Sequence, residues 1–293
     1  MARLLSLLVF ALLIINAAAD VTGTLEKQLK PVYSNWRGAM LAKNYKAWKA
    51  VTAYARQIET RNTVVSQKKS FPRAMFAVPM RPPKLDGLRL LQARANGPTA
   101  TAVYFGRVDF EIGGKVPESL LVLRFLREGH QWKFYTLSMM NQLPAEVITD
   151  IRANRLAFLK EPDFQPSGRP PKIQKECPKP DYIADIHVIA LGFQTEVTIN
   201  GVSEHLTKDD FGTHLVMGGL RKGKNSIQIK TKALGKSESD RKYAKVTLHV
   251  KTGNKKNPAI QVFEFKPDPS KGPFTYTGDF QVDKSTLGKG RRP

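Results

Sequence analysis

The sequence predicts an α+β cone, with helices lying on a curved antiparallel sheet, followed by an all-β sandwich. Three observations predict it. Apolar residues recur at helical spacing over residues 28–66. From Leu88 the period falls to two and stays there to Met140. Residues 161–181, EPDFQPSGRPPKIQKECPKPD, then hold six prolines, and beyond them the pattern is strand throughout.

The first nineteen residues read as a cleavable secretory signal. Arg3 supplies a short basic start, Leu4 to Ile15 an apolar run, and Ala17-Ala18-Ala19 the small residues of a cleavage site, with Asp20 as the expected mature start. The other reading, an uncleaved anchor, meets an apolar run shorter than the about 20 residues a spanning helix needs. The expected address is secreted or periplasmic, with no membrane-spanning segment after cleavage.

The helical stretch places Trp36, Met40 and Leu41 on one face, then Trp48, Val51, Thr52 and Ala55, with Asn44 as the division between two helices. Pro72, Pro79, Pro82 and Pro83 break the chain, and FPRAMFAVPM could hold a short strand. Four strands of a meander follow. LRLLQARA turns at Asn96-Gly97-Pro98 into TATAVYFGRVDFEI, where Val108, Phe110 and Ile112 alternate with Arg107, Asp109 and Glu111. Gly113-Gly114 turns the chain into ESLLVLRFLR, and Glu128 to Gln131 turn it back into WKFYTLSMM. A helix starts near Pro144 and carries Val147, Ile148, Ile151 and Leu156. The expected divisions are 20–143 for the α+β domain, 144–160 for the trailing helix, 161–181 for the linker, 182–284 for the sandwich and 285–293 for a basic, disordered tail.

Seven strand candidates follow the linker: DIHVIALGF, TEVTINGV, THLVMGGL, NSIQIKTKAL, AKVTLHVKT, AIQVFEFKP and FTYTGDFQV. Turn residues separate them at sandwich-like intervals. Cys177 is the single cysteine, so no intramolecular disulfide and no cysteine-built metal site can form. Its setting, KECPKP, reads as an idle thiol in a linker, and pairing between chains is left open.

Charge is the strongest global feature. The chain carries a formal net charge of +22. Residues 20–160 hold 23 Lys and Arg against 10 Asp and Glu, and residues 161–293 hold 23 against 15. Charge spread this evenly argues against a localised nucleic-acid module. It fits attraction to polyanions or plain solubility. For an exported chain the polyanions are lipid headgroups, lipopolysaccharide, teichoic or acidic polysaccharides, and extracellular DNA.

Two resemblances add to this reading. WRGAMLAKNYKAWKAVTAYA resembles the opening helices of the nuclear transport factor 2-like (NTF2-like, SnoaL-like) superfamily, and ESLLVLRFLREGHQWKFYTLSMM resembles its closing hairpin; together they cover residues 28–140. The resemblance implies a cone whose interior is open in some members and filled in others. Trp132, Phe134 and Thr136 would share one face of the hairpin, and Lys133, Tyr135 and Leu137 the other. Tyr104, Asp109, Glu111, Trp132 and Phe134 are the candidate cone-pocket residues. Enzymes of that superfamily place an Asp–His or Asp–Tyr pair in the cone. Here a general base would have to be Asp109 or Glu111, the competing reading being surface charges paired with Arg107 or Arg124. TEVTINGV followed by GGLRKGKNSIQIKTKAL is similar to galactose-binding-like jelly rolls and some Ig-like modules, with Asn200-Gly201 as a hairpin turn and Gly223 and Asn225 shaping the next loop.

No catalytic set emerges. The histidines are His130, His187, His205, His214 and His249, and His205, Asp209, Asp210 and His214 read better as a solvated loop than as a metal cluster. No nucleophile elbow or phosphate loop is present, and GGLRKGKN precedes a strand where a phosphate cradle would precede a helix. No cofactor is expected. The basic loops remain. Arg221, Lys222 and Lys224 form one, and Lys255 and Lys256 a second; these five are the candidate polyanion- or glycan-binding residues. Lys236, Arg241 and Lys242 form a third, and Lys289, Arg291 and Arg292 lie in the tail. Phe211, Phe274 and Tyr276 are the candidates for stacking on a sugar. The leading expectation is an exported, non-catalytic protein that binds an anionic or glycan partner. Its rival is a small-molecule or lyase/isomerase-type site inside the cone. Homo-oligomer formation, through cone sheets or sandwich edges, is a third reading.

Overall fold

The computed structural model describes residues 23–77, 81–237, 242–255 and 257–289. The expected signal sequence, Arg241, Lys256, Arg291 and Arg292 lie outside them. The chain divides into two compact units: Met1–Gln57 with Phe76–Ile173, and Ile58–Met75 with Gln174–Pro293.

In the first unit α1 covers residues 23–41 and α2 is Tyr45–Val51; α3, Tyr54–Ser66, begins here and continues into the second unit. Asn44 caps α2, its Oδ1 accepting the Ala47 amide at 3.0 Å, which is why the helical run divides there. The segment around Met75 that could hold a short strand instead forms a 3₁₀ turn, Arg73–Phe76. Four strands, β1 Arg89–Asn96, β2 Thr99–Arg107, β3 Glu118–Glu128 and β4 Gln131–Met140, form an antiparallel meander in the order β1-β2-β3-β4. Helix α4, Ala145–Arg152, follows.

Both faces of the central strands β2 and β3 are buried. On one face Ala100, Ala102, Tyr104, Leu121, Leu123, Phe125 and Phe134 pack against Leu29 and Tyr33 of α1. On the other, Val103, Phe105, Leu120 and Val122 pack against Ile151 of α4, Leu159 and Phe164. This double burial explains the unbroken apolar run of ESLLVLRFL, since a strand covered on both sides has no polar face to alternate with. It also corrects the expected fold class. The described residues are mostly β, twelve strands in three four-stranded antiparallel sheets, and the N-terminal sheet is a filled layer between two apolar surfaces. The cone of helices on a curved sheet does not form, because α4 and the segment after it cover the face that a cone would leave free.

A bulge adds a second correction. The β3–β4 register shifts between Arg124 and Phe125, so Tyr135 is the extra residue between Thr136 and Phe134. One extra residue reverses the parity of everything after it. Leu137 and Met139 therefore join Phe134 in the core layer, where simple alternation assigned Thr136.

In the second unit the strands are β5 Ala184–Leu191, β6 Phe193–Ile199, β7 Ser203–Lys208, β8 Phe211–Leu215, β9 Gly223–Ala233, β10 Tyr243–Asn254, β11 Asn257–Phe265 and β12 Thr275–Val282. They form two sheets, β11-β10-β5-β8 and β12-β9-β6-β7. Alternate residues share one core: Ile186 and Val188 of β5, Val246 and Leu248 of β10, Val197 and Ile199 of β6, and Ile227 and Ile229 of β9. One seam between the sheets is closed by rings, with Phe263 5.3 Å from Phe280 and Phe265 5.3 Å from Tyr276. Residues 285–289, expected as the start of a disordered tail, belong to the short helix α5, Lys284–Lys289, with Leu287 against the sandwich core.

Residues 58–66 of α3 belong to this unit and carry two fully buried polar side chains, Asn62 and Ser66. Asn62 Oδ1 accepts the Cys177 amide at 3.0 Å, its Nδ2 donates to Lys175 O at 2.8 Å, and Ser66 Oγ accepts the Gly218 amide at 2.7 Å. Cys177 is 1% exposed, so the thiol expected to idle in a linker is part of a packed interior.

Candidate functional site: the basic end of the sandwich

The cone-pocket residues come apart in the structure. Tyr104 and Phe134 are each 1% exposed and belong to the core. Phe134 lies 4.2 Å from Trp36, 5.4 Å from Tyr33 and 5.9 Å from Phe125, ring centroid to ring centroid. Tyr104 donates to Glu26 at 3.3 Å, and burial, then the Glu26 carboxylate, push its hydroxyl pKa upward. Trp132 packs at the edge of this layer, its Nε1 donating to Gln28 at 3.3 Å and Arg127 lying 5.0 Å above its ring. Asp109 and Glu111 are exposed, because β2 ends at Arg107 and the alternation does not continue as strand. Glu111 pairs with Arg81 at 2.8 Å and with Arg37 at 3.5 Å, and Asp109 accepts the Glu111 amide at 2.7 Å. A general base needs a desolvated carboxylate facing a cavity, and neither residue has that setting.

The histidines are also spread out. His130 is exposed in the β3–β4 turn. The His187 and His249 rings lie 4.3 Å apart, tilted by 37°, on the outer face of the β11-β10-β5-β8 sheet, and burial followed by the His187 charge lowers the pKa of His249. His205 and His214 lie 5.7 Å apart on β7 and β8. Ser203 Oγ is 2.7 Å from His205 Nε2. Asp209 accepts the Gly192 amide at 2.8 Å, and Asp210 accepts the Phe211 amide at 2.7 Å. These carboxylates are committed to shaping the β7–β8 turn, and among the described residues no group of three or more His, Cys, Asp or Glu is arranged to hold a metal ion.

The basic loops do converge in part. Tyr182 bridges to Leu220, and Ala184 at the start of β5 pairs with Val250 near the end of β10. These pairings bring the 221–224 loop and the β10–β11 turn to the same end of the sandwich. Asn225, 1% exposed, fixes the first loop: its Oδ1 accepts the Arg221 amide at 2.8 Å, and its Nδ2 donates to Arg221 O at 2.8 Å and to Gly223 O at 3.0 Å. Gly223, at φ +83°, supplies the left-handed step before β9. The Lys222 amide is held by Asp181 at 2.8 Å. With the backbone pinned, Arg221, Lys222 and Lys255 extend exposed from this end. Lys224 differs: it is paired with Asp279 across to β12 at 2.8 Å, and that carboxylate raises its pKa. Lys251 is paired with Asp185 at 2.8 Å. Arg221, Lys222 and Lys255 have no ion-pair partner among the described residues, so they are the cations left for a ligand.

Of the three stacking candidates, Phe274 and Tyr276 belong to the aromatic seam, whereas Phe211 is 72% exposed. Phe211 borders a groove that the sequence reading missed, lined by Ile189, Leu191, Lys242 and Tyr243. A signal was present. In DIHVIALGF the core takes Ile186, Val188 and Ala190, which leaves two large apolar residues, Ile189 and Leu191, on the outward face.

No family model, curated protein or solved structure matches this chain. Among the described residues no helix is long and apolar enough to cross a membrane.

Proposed function

We propose that this chain is an exported, non-catalytic binding protein whose sandwich engages an anionic polymer, with acidic glycans of the envelope or extracellular space as the partner class. The observation that carries the proposal is the convergence of Arg221, Lys222 and Lys255 at one end of the sandwich, exposed and unpaired among the described residues, while neighbouring cations are already matched to Asp279 and Asp185. Export rests on the apolar start of the sequence. The rival catalytic reading loses its support with the pairing of Glu111 to Arg81 and the filling of the core by Phe134.

The test is binding of the chain from Asp20 onward to acidic polysaccharides, lipopolysaccharide and DNA at low and moderate salt. Selective binding to one acidic glycan is expected to survive moderate salt. It should weaken about tenfold or more in the Arg221→Ala, Lys222→Ala, Lys255→Ala variant, with the salt slope reduced by about two to three. Indiscriminate binding that salt abolishes, or a variant that binds like the parent chain, would overturn the assignment.

A further inference from the structure

We infer that the groove beside Phe211 is a separate ligand site, for an amphiphilic anion with one apolar ring or chain segment. The site lies on the outward face of the β11-β10-β5-β8 sheet. Phe211 of β8 is paired with Ile189 of β5, and Leu191 of β5 with Tyr243 of β10. Since Val188, Ala190, Ala244 and Val246 occupy the core, Ile189, Leu191 and Tyr243 project to the other side. Together these residues line an open groove of about 610 Å³.

The lining specifies the ligand class. The floor is aliphatic, Ile189 and Leu191, and one wall is a ring that is 72% exposed, an unusual state for a residue as large and apolar as Phe. An apolar segment laid on this floor would remove that ring from water. The opposite wall, Tyr243, carries the Lys266 ammonium 5.8 Å over its ring, and Lys242 stands exposed at the rim without an ion-pair partner among the described residues. Lys245, on the same face, is matched to Glu264 at 3.1 Å. An apolar trough with a cation at its lip that has no ion-pair partner among the described residues is complementary to a ligand whose charge is negative and terminal. The groove is at the far end of β5 from Ala184, with Leu191 roughly 23 Å along the strand from it, and it shares no residue with the basic loops.

The probes are anilinonaphthalene sulfonate and its uncharged counterpart phenylnaphthylamine, each titrated into the full chain and followed by fluorescence. Saturable one-to-one binding of the sulfonate is expected. Phe211→Ala should weaken it about tenfold, and Lys242→Gln should weaken the sulfonate several-fold while leaving the uncharged probe unchanged. Both positions are exposed, so near-ultraviolet circular dichroism should match the parent chain and exclude a folding defect. Displacement by laurate would assign the natural ligand to acyl anions; displacement by naphthalene sulfonate but not laurate would assign it to aromatic anions. Unchanged affinity in Phe211→Ala, or displacement by neither competitor, would overturn the site. The Arg221, Lys222, Lys255 variant should bind both probes as the parent does, so failure of the polymer reading leaves this result intact.

Discussion

Ser203 Oγ lies 2.7 Å from His205 Nε2 and accepts the Met217 amide at 2.8 Å. With the Met217 N–H already donating to that oxygen, the hydroxyl hydrogen is left to point at the imidazole, which the neutral ring can accept and the protonated ring cannot. Burial, and then the nearby His214, lower the His205 pKa to about 4. The unfolded ring takes its proton near pH 6.5, so the stability contributed by neutral His205 is whole above that pH and is lost as the pH falls towards 4. The loss amounts to about 3 kcal/mol at most. Urea unfolding at pH 7 and pH 4.5 checks it: His205→Gln should show a smaller loss between the two than the parent chain, and an equal loss would refute the assignment.

Phe134 tests whether the N-terminal sheet is a filled layer. Its ring meets Trp36, Tyr33 and Phe125 with no exposed edge. Truncation to Ala should cost about 3–5 kcal/mol in chemical denaturation, the range for large buried aromatics. A cost below about 1 kcal/mol would mean that the ring lines open space.

The buried thiol gives a chemical readout. In native protein Cys177 should react with a thiol reagent only as fast as the structure opens, and at the rate of a free thiol in denaturant. Asn62→Ala removes the partner of the Cys177 amide and of Lys175 O, and should cost about 1–3 kcal/mol while raising the native labelling rate. Fast labelling of the parent chain would contradict the burial.

Glu111 should behave as an ordinary surface charge. Its partners Arg81 and Arg37 hold it at the mouth of a loop, where pairs contribute about 0–1 kcal/mol. Glu111→Gln should therefore shift the thermal midpoint hardly at all, whereas a large shift in either direction would reveal a structural role that the contacts do not explain.

Much of the sandwich was legible in the sequence because one face of each strand is wet. NSIQIKTKAL alternates cleanly and DIHVIALGF does so as far as Val188, and both became strands within a residue or two of the expected limits. The strand SEHLTK was missed for a physical reason: its inward residues, Ser203, His205 and Thr207, are polar, while its most apolar residue, Leu206, is 63% exposed, so hydrophobicity marks the wrong face. The N-terminal meander was found, but its layering was not. A strand buried on both sides reads the same whichever element covers the second face, and the bulge at Tyr135 reverses parity without any sequence mark. The basic residues were visible individually. Their convergence depends on pairings such as Ala184 with Val250, a long-range register that no local spacing encodes.

The second unit is assembled from two separated stretches, Ile58–Met75 and Gln174–Pro293, and the first of them arrives as the end of a helix that began in the other unit. A chain cut at the proline-rich stretch would therefore lose its own Asn62 and Ser66 from the sandwich, stranding the amide protons of Cys177 and Gly218 in the interior. A ribosome must likewise finish the whole first unit before those two side chains find the groups they satisfy. The sandwich is a late-maturing piece whose keystone is made early.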